Sequence, residues 1–215
     1  MKAFRQHEFS IRDCLSQLEH LEAMLQENDS LDERTQILPF FRSNSDISCA
    51  LGTYVSGLIP DLLAHEYDLF GDFVCDLVIG DSHSKSFLFV EFEDAKPQSL
   101  FVKRPGKVTP DWAPRVEHGL SQVIDWFWKL ADSEKSDDYE YRFGTRHANV
   151  HGMVIIGRDQ NLTEREKRRL EWRQRHTLVH SSKLMIVTFD QLVRDLRYRV
   201  QRFPGADQLR RGATT

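Results

Sequence analysis

The sequence predicts an α/β protein built on a mixed β-sheet flanked by helices. Three observations carry that expectation. The hydrophobic period switches along the chain from helical to two-residue and back, in the order helix, three strands, helix, strand, helix, strand, helix. Of 215 residues, 40% are hydrophobic and 29% charged, the balance of a folded globule rather than of a disordered chain or a coiled coil. No stretch approaches the roughly 18 apolar residues of a membrane span.

Ile11, Leu15, Leu18, Leu21 and Leu25 recur every three or four positions and predict a helix over 8–27. Asp29 or Ser30 is expected to cap a second helix over 31–42, interrupted by Pro39. The period of two then predicts strands over 64–69, 72–79 and 87–94, the last two joined by the polar loop 81–86. Residues 95–114 hold four prolines and read as a long loop. Arg115–Leu130 is an amphipathic helix with Val116, Leu120, Val123, Ile124 and Phe127 on its apolar face, followed by an exposed acidic turn over 132–138. Strands follow at 150–156 and 184–189. Between them, Thr163 and Glu166 form a capping box for a charged helix, and Asp190 is expected to cap the last one.

The charge of −4 conceals an asymmetry. Residues 158–215 carry 14 Lys/Arg against 7 Asp/Glu, a net of +7, so the preceding 157 residues sum to −11. An acidic front suits metal cations and a basic back suits phosphates, although solvated helix faces give the same pattern. Three cysteines without metal-site spacing, and a start lacking the apolar run of a secretory signal, lead to the expectation of a reduced cytoplasmic protein. No glycine-rich phosphate loop is present, so no nucleotide cofactor is expected.

The chemistry concentrates in two adjoining strands. Asp76 shares a strand face with Val74 and Val78, while Glu91 and Glu93 share one with Phe87 and Phe89. A simple hairpin with Gly80 opposite Phe87 sets Asp76 opposite Glu91, with Cβ atoms about 5 Å apart. Like charges that close repel, and a bridging divalent cation removes the repulsion. Pairing with arginines, or a role as edge-strand charges, would also account for such acids. On the helix that follows, Arg115, His118, Gln122 and Lys129 share one polar face. The mid-helix Gly119 is costly by up to about 1 kcal/mol against alanine and hints at close approach of another backbone or of a ligand.

An Asp on one strand, a Glu-x-Lys on the next and a Gln on the following helix make the PD-(D/E)XK nuclease pattern, which this sequence resembles through Asp76, Glu91-Phe92-Glu93 and Gln122. More closely, GDFVCDLVIGD, FLFVEFEDAKPQSLF and RVEHGLSQVIDWFWKL, with the later VHGMVIIGR and LMIVTFDQL, resemble the nuclease domain of the Shedu antiphage-defence family. The resemblance spans Leu31 to Arg197. It implies a restriction-endonuclease-like αβββαβ core over 31–203, with 1–30 as a helical extension and 204–215 as a flexible tail. It also implies a cytoplasmic DNA endonuclease dependent on Mg²⁺ or Mn²⁺, with DNA as partner and assembly as a homo-oligomer.

By the same resemblance, Asp76, Glu91 and Glu93 would hold the metal, joined by Glu33 from the first core helix. Gln122 would orient water or phosphate, while Arg115, His118 and Lys129 would contact the DNA backbone. One position departs from the pattern: Glu93 stands where a lysine is expected. Lys96, Lys103 and Lys129 are the lysines able to replace it, Lys96 being closest in sequence. The alternative is an inactive module on the same fold that binds DNA or a protein partner.

Overall fold

The computed structural model describes residues 3–179 and 182–202; the segment 204–215, expected to be a tail, lies outside them. Strand β1 (Arg5–Gln6) leads into helix α1 (Ile11–Glu27), where the Ser10 hydroxyl caps the first turn by accepting from the Asp13 N–H. Leu31 then pairs with Ala95 through two backbone hydrogen bonds of 3.0 and 3.1 Å. That bridge holds the chain extended, so the cap expected at Asp29 or Ser30 falls instead to Asp32, whose carboxylate accepts from the Arg34 and Thr35 N–H groups. A π-helical turn (Glu33–Ile37) follows, then the short helices α2 (Leu38–Ser43) and α3 (Ser45–Ala50). Pro39 sits in the first turn of α2, where its missing N–H costs nothing.

Strands β2 (Leu62–Leu69), β3 (Phe73–Asp81) and β4 (Ser86–Phe92) form an antiparallel meander. Gly80 faces Phe87 and Leu77 faces Val90, the register of the simple hairpin. The segment expected to be one loop contains a small hairpin of β5 (Phe101–Val102) and β6 (Asp111–Trp112) ahead of helix α4 (Pro114–Ser133). Phe101 and Trp112 stack at 4.4 Å and hold this hairpin together despite its prolines.

The expected acidic turn is present at 134–136, shorter than 132–138, because α4 runs to Ser133 and helix α5 (Asp137–Phe143) follows at once. Ser136 caps it, Asp137, Asp138 and Glu140 sit in its first turn where the helix dipole favours them, and Tyr139 and Phe143 bury its inner side. Strand β7 (Asn149–Ile155), helix α6 (Glu164–His176), strands β8 (Leu178–Val179) and β9 (Ser182–Val187) and helix α7 (Phe189–Val200) complete the chain. The capping box of Thr163 and Glu166 starts α6 as expected. Thr188, not Asp190, caps α7. Asp190 is drawn to Arg158, 2.8 Å away and only 2% exposed, because a buried guanidinium needs a charged partner.

Among the described residues, seven strands make one sheet in the order β1-β2-β3-β4-β7-β9-β8. The β4-β7-β9 steps are parallel and the others antiparallel, so the sheet is mixed, and helices cover both faces. Alternation along β3 and β4 sorts the side chains. Leu77, Ile79, Leu88, Val90 and Phe92 pack under α1, α2, α3 and α7, while Val78, Phe87 and Phe89 pack under α4, α5 and α6. The β2-β3-β4-α4-β7 succession is the expected core, and the α1 stripe of Cys14, Leu18, Leu21 and Leu25 is part of its first apolar layer. No helix among the described residues is long and apolar enough to cross a membrane.

Candidate metal centre

The site forms where β3 and β4 part. Their backbone pairing runs from Asp81–Ser86 to Leu77–Val90 and stops. One step further, the Phe92 N–H donates to Oδ2 of Asp76 at 2.9 Å, so a carboxylate takes the place of a backbone acceptor. Asp76 and Glu91 stand one step past the last backbone pair, close enough for each carboxylate to act on the other. Glu93 follows β4 and is tied to β7 through its N–H, which donates to the Ile155 carbonyl at 2.9 Å. Asp76, Glu91 and Glu93 lie on the sheet face that α4 covers.

Gly119 sets the distance of α4 from that face. A Cβ there would stand 2.9 Å from Cγ1 of Val154 and 3.4 Å from Cγ of Glu93, so only glycine lets the helix approach this closely. The close approach expected at this position is therefore to a β7 side chain and to one of the acids. The apolar face of α4 buries Val116, Leu120, Val123, Trp126 and Phe127; Ile124, expected on that face, is 43% exposed.

The polar face of α4 then reaches the acids. Arg115 places Nη1 2.7 Å from Oε2 of Glu93 and 3.0 Å from Oε2 of Glu33. His118 places Nδ1 2.9 Å from Oε1 of Glu93. Gln122 donates through Nε2 to Oε1 of Glu91. Glu33 is held in place from below, its N–H donating to Oδ1 of the buried Asp94 at 3.0 Å. Glu33, Asp76, Glu91, Arg115, His118 and Gln122 line a surface cavity of about 550 Å³, and Glu93 lies beneath it at 1% exposure.

The three candidate lysines are not brought in. Lys96 directs Nζ to Asp94 at 2.7 Å and Asp32 at 3.6 Å. Lys129 lies nearly two turns beyond Gln122 and pairs with Asp72. Lys103 stands exposed on the β5–β6 hairpin.

The acids strain one another electrically. Burial, then the charges of Asp76 and Glu93, raises the Glu91 carboxyl well above the usual carboxylate range. Burial also raises Asp76, against the opposing Phe92 N–H, and raises Glu33 together with the Glu93 charge, against Arg115. Such crowding suits a divalent cation. Glu91, Glu93 and His118 each offer a ligand atom within 4.8 Å of the others, a group able to hold a metal ion. Carboxylate oxygens fit Mg²⁺ or Mn²⁺, and the imidazole is better suited to Mn²⁺.

The chain matches the family model described as Shedu protein SduA, C-terminal, over residues 30–193. It belongs to the Shedu family. A comparison with curated proteins returned no match. Family membership suggests a part in antiphage defence.

In this Shedu chain, sequence spacing placed His118 on the right helix face but assigned it to phosphate rather than to the acids. The signal available was the pairing of a mid-helix imidazole with the extra acid at Glu93. Asp94, which positions Glu33 and Lys96, carried no signal of its own beyond standing next to Glu93.

Proposed function

We propose that this Shedu protein is a DNA endonuclease dependent on Mg²⁺ or Mn²⁺ and acting in antiphage defence. One observation carries the reading: Glu91, Glu93 and His118 each bring a ligand atom within 4.8 Å of the others, with Asp76 next to Glu91, beside a cavity open to solvent. Asp76, Glu91, Glu93 and His118 would hold the ion, with Glu33 at its margin. Bound there, it supplies Lewis acidity to the phosphodiester and to the attacking water.

The chain's own groups do the remainder. Gln122, fixed on Glu91, offers its amide to orient water or a phosphate oxygen. The cation missing at position 93 is replaced from helix α4, where Arg115 sets its guanidinium against Glu93 while staying half-exposed to solvent. That guanidinium offers further N–H donors to developing phosphate charge. His118, also exposed, stands beside the same carboxylate and holds it in place.

A plasmid-nicking assay tests the reading. Wild type is expected to nick DNA with Mg²⁺ or Mn²⁺ and to stop on chelation. Asp76→Ala and Glu91→Gln are each expected to slow cleavage on the order of 100-fold or more. Equal activity in wild type and both variants overturns the mechanism. DNA binding without cleavage by the wild type would favour the inactive module, which the acid at Glu93 also fits. Sedimentation of the same preparations tests assembly into a homo-oligomer.

A further inference from the structure

We infer that the outer face of α6, with the β5–β6 hairpin beside it, is a track for a single-stranded segment of nucleic acid leading to the carboxylate site. The inference rests on the nuclease reading for its direction, but its chemistry is independent of the acids.

Arg165, Arg168, Trp172 and Arg175 recur at spacings of 3, 4 and 3 along the 13-residue helix and share one face, all exposed. Arg165 and Arg168 have no acidic partner among the described residues, and Arg175 has only a long 3.8 Å contact to Glu171. Trp172 is 65% exposed and is steadied by stacking on His176, ring centroids 4.5 Å apart. Apart from the His176 ring, the indole is open to solvent among guanidiniums, two of which have no acidic partner among the described residues. A strand of phosphates and unpaired bases satisfies both kinds of group, phosphates by charge and bases by stacking. An apolar protein partner would call for apolar companions around Trp172, and the residues sharing its face are cations.

The track is rigidly joined to the site. Trp112 of the hairpin lies under the guanidinium of Arg173 at 4.6 Å and under Arg169 at 5.2 Å. Arg173 in turn makes two 2.8 Å hydrogen bonds to Glu117, the residue before His118. Between the hairpin and α6 lies a cavity of about 530 Å³ that includes both Trp112 and Trp172 in its walls. Lys103 extends the positive charge onto the hairpin, close enough to lower the Glu166 carboxyl. A strand laid along α6 therefore passes the start of α4, where Arg115 and His118 stand.

Binding of fluorescein-labelled dT20 to the full chain, followed by anisotropy in EDTA so that no cleavage intervenes, tests the inference. Arg165→Ala/Arg168→Ala is expected to weaken binding at least about tenfold and to lower the salt slope by about 1.4, two phosphate contacts on a single strand. Trp172→Ala is expected to weaken dT20 at least about fivefold while changing affinity for a blunt 20-base-pair duplex less than twofold. All three positions are exposed, and circular dichroism verifies that the variants fold. If both variants bind dT20 within twofold of wild type, or the wild type does not bind it at low salt, the track is wrong whatever the protein cleaves. A change of sedimentation in Trp172→Ala with dT20 affinity unchanged makes this face a subunit contact and equally overturns it. Tight dT20 binding sensitive to both variants, in a protein that nicks no plasmid, leaves the track standing and removes only the nuclease reading.

Discussion

Nη1 of Arg115, in the first turn of α4, lies 2.7 Å from Oε2 of Glu93 at the end of β4. The pair binds helix to sheet and supplies positive charge to a carboxylate that water scarcely reaches. Arg115→Ala removes one of the two groups that satisfy Glu93 and leaves His118 as the other. Because the arginine is half-exposed, the cost in metal-free protein is expected to be about 1–2 kcal/mol, at the low end for a buried acid losing a partner. Saturating Mn²⁺ is expected to raise the Tm of this variant by more than it raises that of wild type, since the ion takes over the lost compensation. Differential scanning fluorimetry with and without Mn²⁺ reads both effects, and equal shifts in the two proteins would count against Glu93 as a ligand.

Glu91→Gln retains the shape of the side chain and removes one of three crowded acids. No loss of stability is expected in EDTA, because burial and its neighbours' charges already favour the uncharged form of Glu91 that the amide mimics. The stabilisation by Mn²⁺ expected of the wild type is expected to vanish in this variant. Urea denaturation with and without the ion measures this, and an undiminished metal effect would remove Glu91 from the ligand set.

Gly119→Ala tests the closeness of α4 to the sheet. The new methyl meets Cγ1 of Val154 at 2.9 Å, inside any normal contact. The helix must lift, at about 1–3 kcal/mol, more than the gain in helix propensity returns. Because Arg115, His118 and Gln122 ride on the same helix, Mn²⁺ affinity by isothermal titration calorimetry is expected to fall as well. A stable variant with unchanged affinity would show that the approach is not needed.

Asp81 gives the pH dependence of the β3–β4 turn. Burial pushes its carboxyl up, but N–H donors from Ile59, Ser84 and His83 outweigh burial and hold it at about 2, against an ordinary 3.8. The folded state thus releases this proton more readily than the unfolded chain. Its contribution is complete above about pH 4 and is lost as pH falls through about 2, amounting to about 2 kcal/mol. Asp81→Asn is expected to destabilise the protein at pH 7 and to flatten its stability curve between pH 4 and 2, followed by urea midpoints.

Much of the site was legible because it is local. A period of two along β3 and β4 determines which face each acid takes, and the register that sets Gly80 opposite Phe87 carries the strands to within one step of Asp76 and Glu91, which act on each other electrostatically. The helical period of α4 groups Arg115, His118 and Gln122 in the same way. The errors fell where a distant contact outweighed a local preference. Leu31 is pinned to Ala95, so Asp32 and not Asp29 or Ser30 caps the next turn. Asp190 is claimed by Arg158, leaving the α7 cap to Thr188. The acidic segment 132–138 leads into α5 because Tyr139 and Phe143 find an apolar layer made by other elements.

By itself, then, the sequence determined the αβββαβ succession, the hairpin register and the single face that carries three acids, since periodicity and turn geometry act over a few neighbouring residues. Only the tertiary structure decided what those acids meet. Arg115 reaches Glu93 across 22 positions and Glu33 across 82, and no local pattern encodes such a meeting. It also decided that Lys96 and Lys129 are taken by other acids and that an arginine, not a lysine, stands beside Glu93. The physical reason is that burying a charge is costly: each buried acid takes whichever cation or hydrogen-bond donor the packing brings within reach.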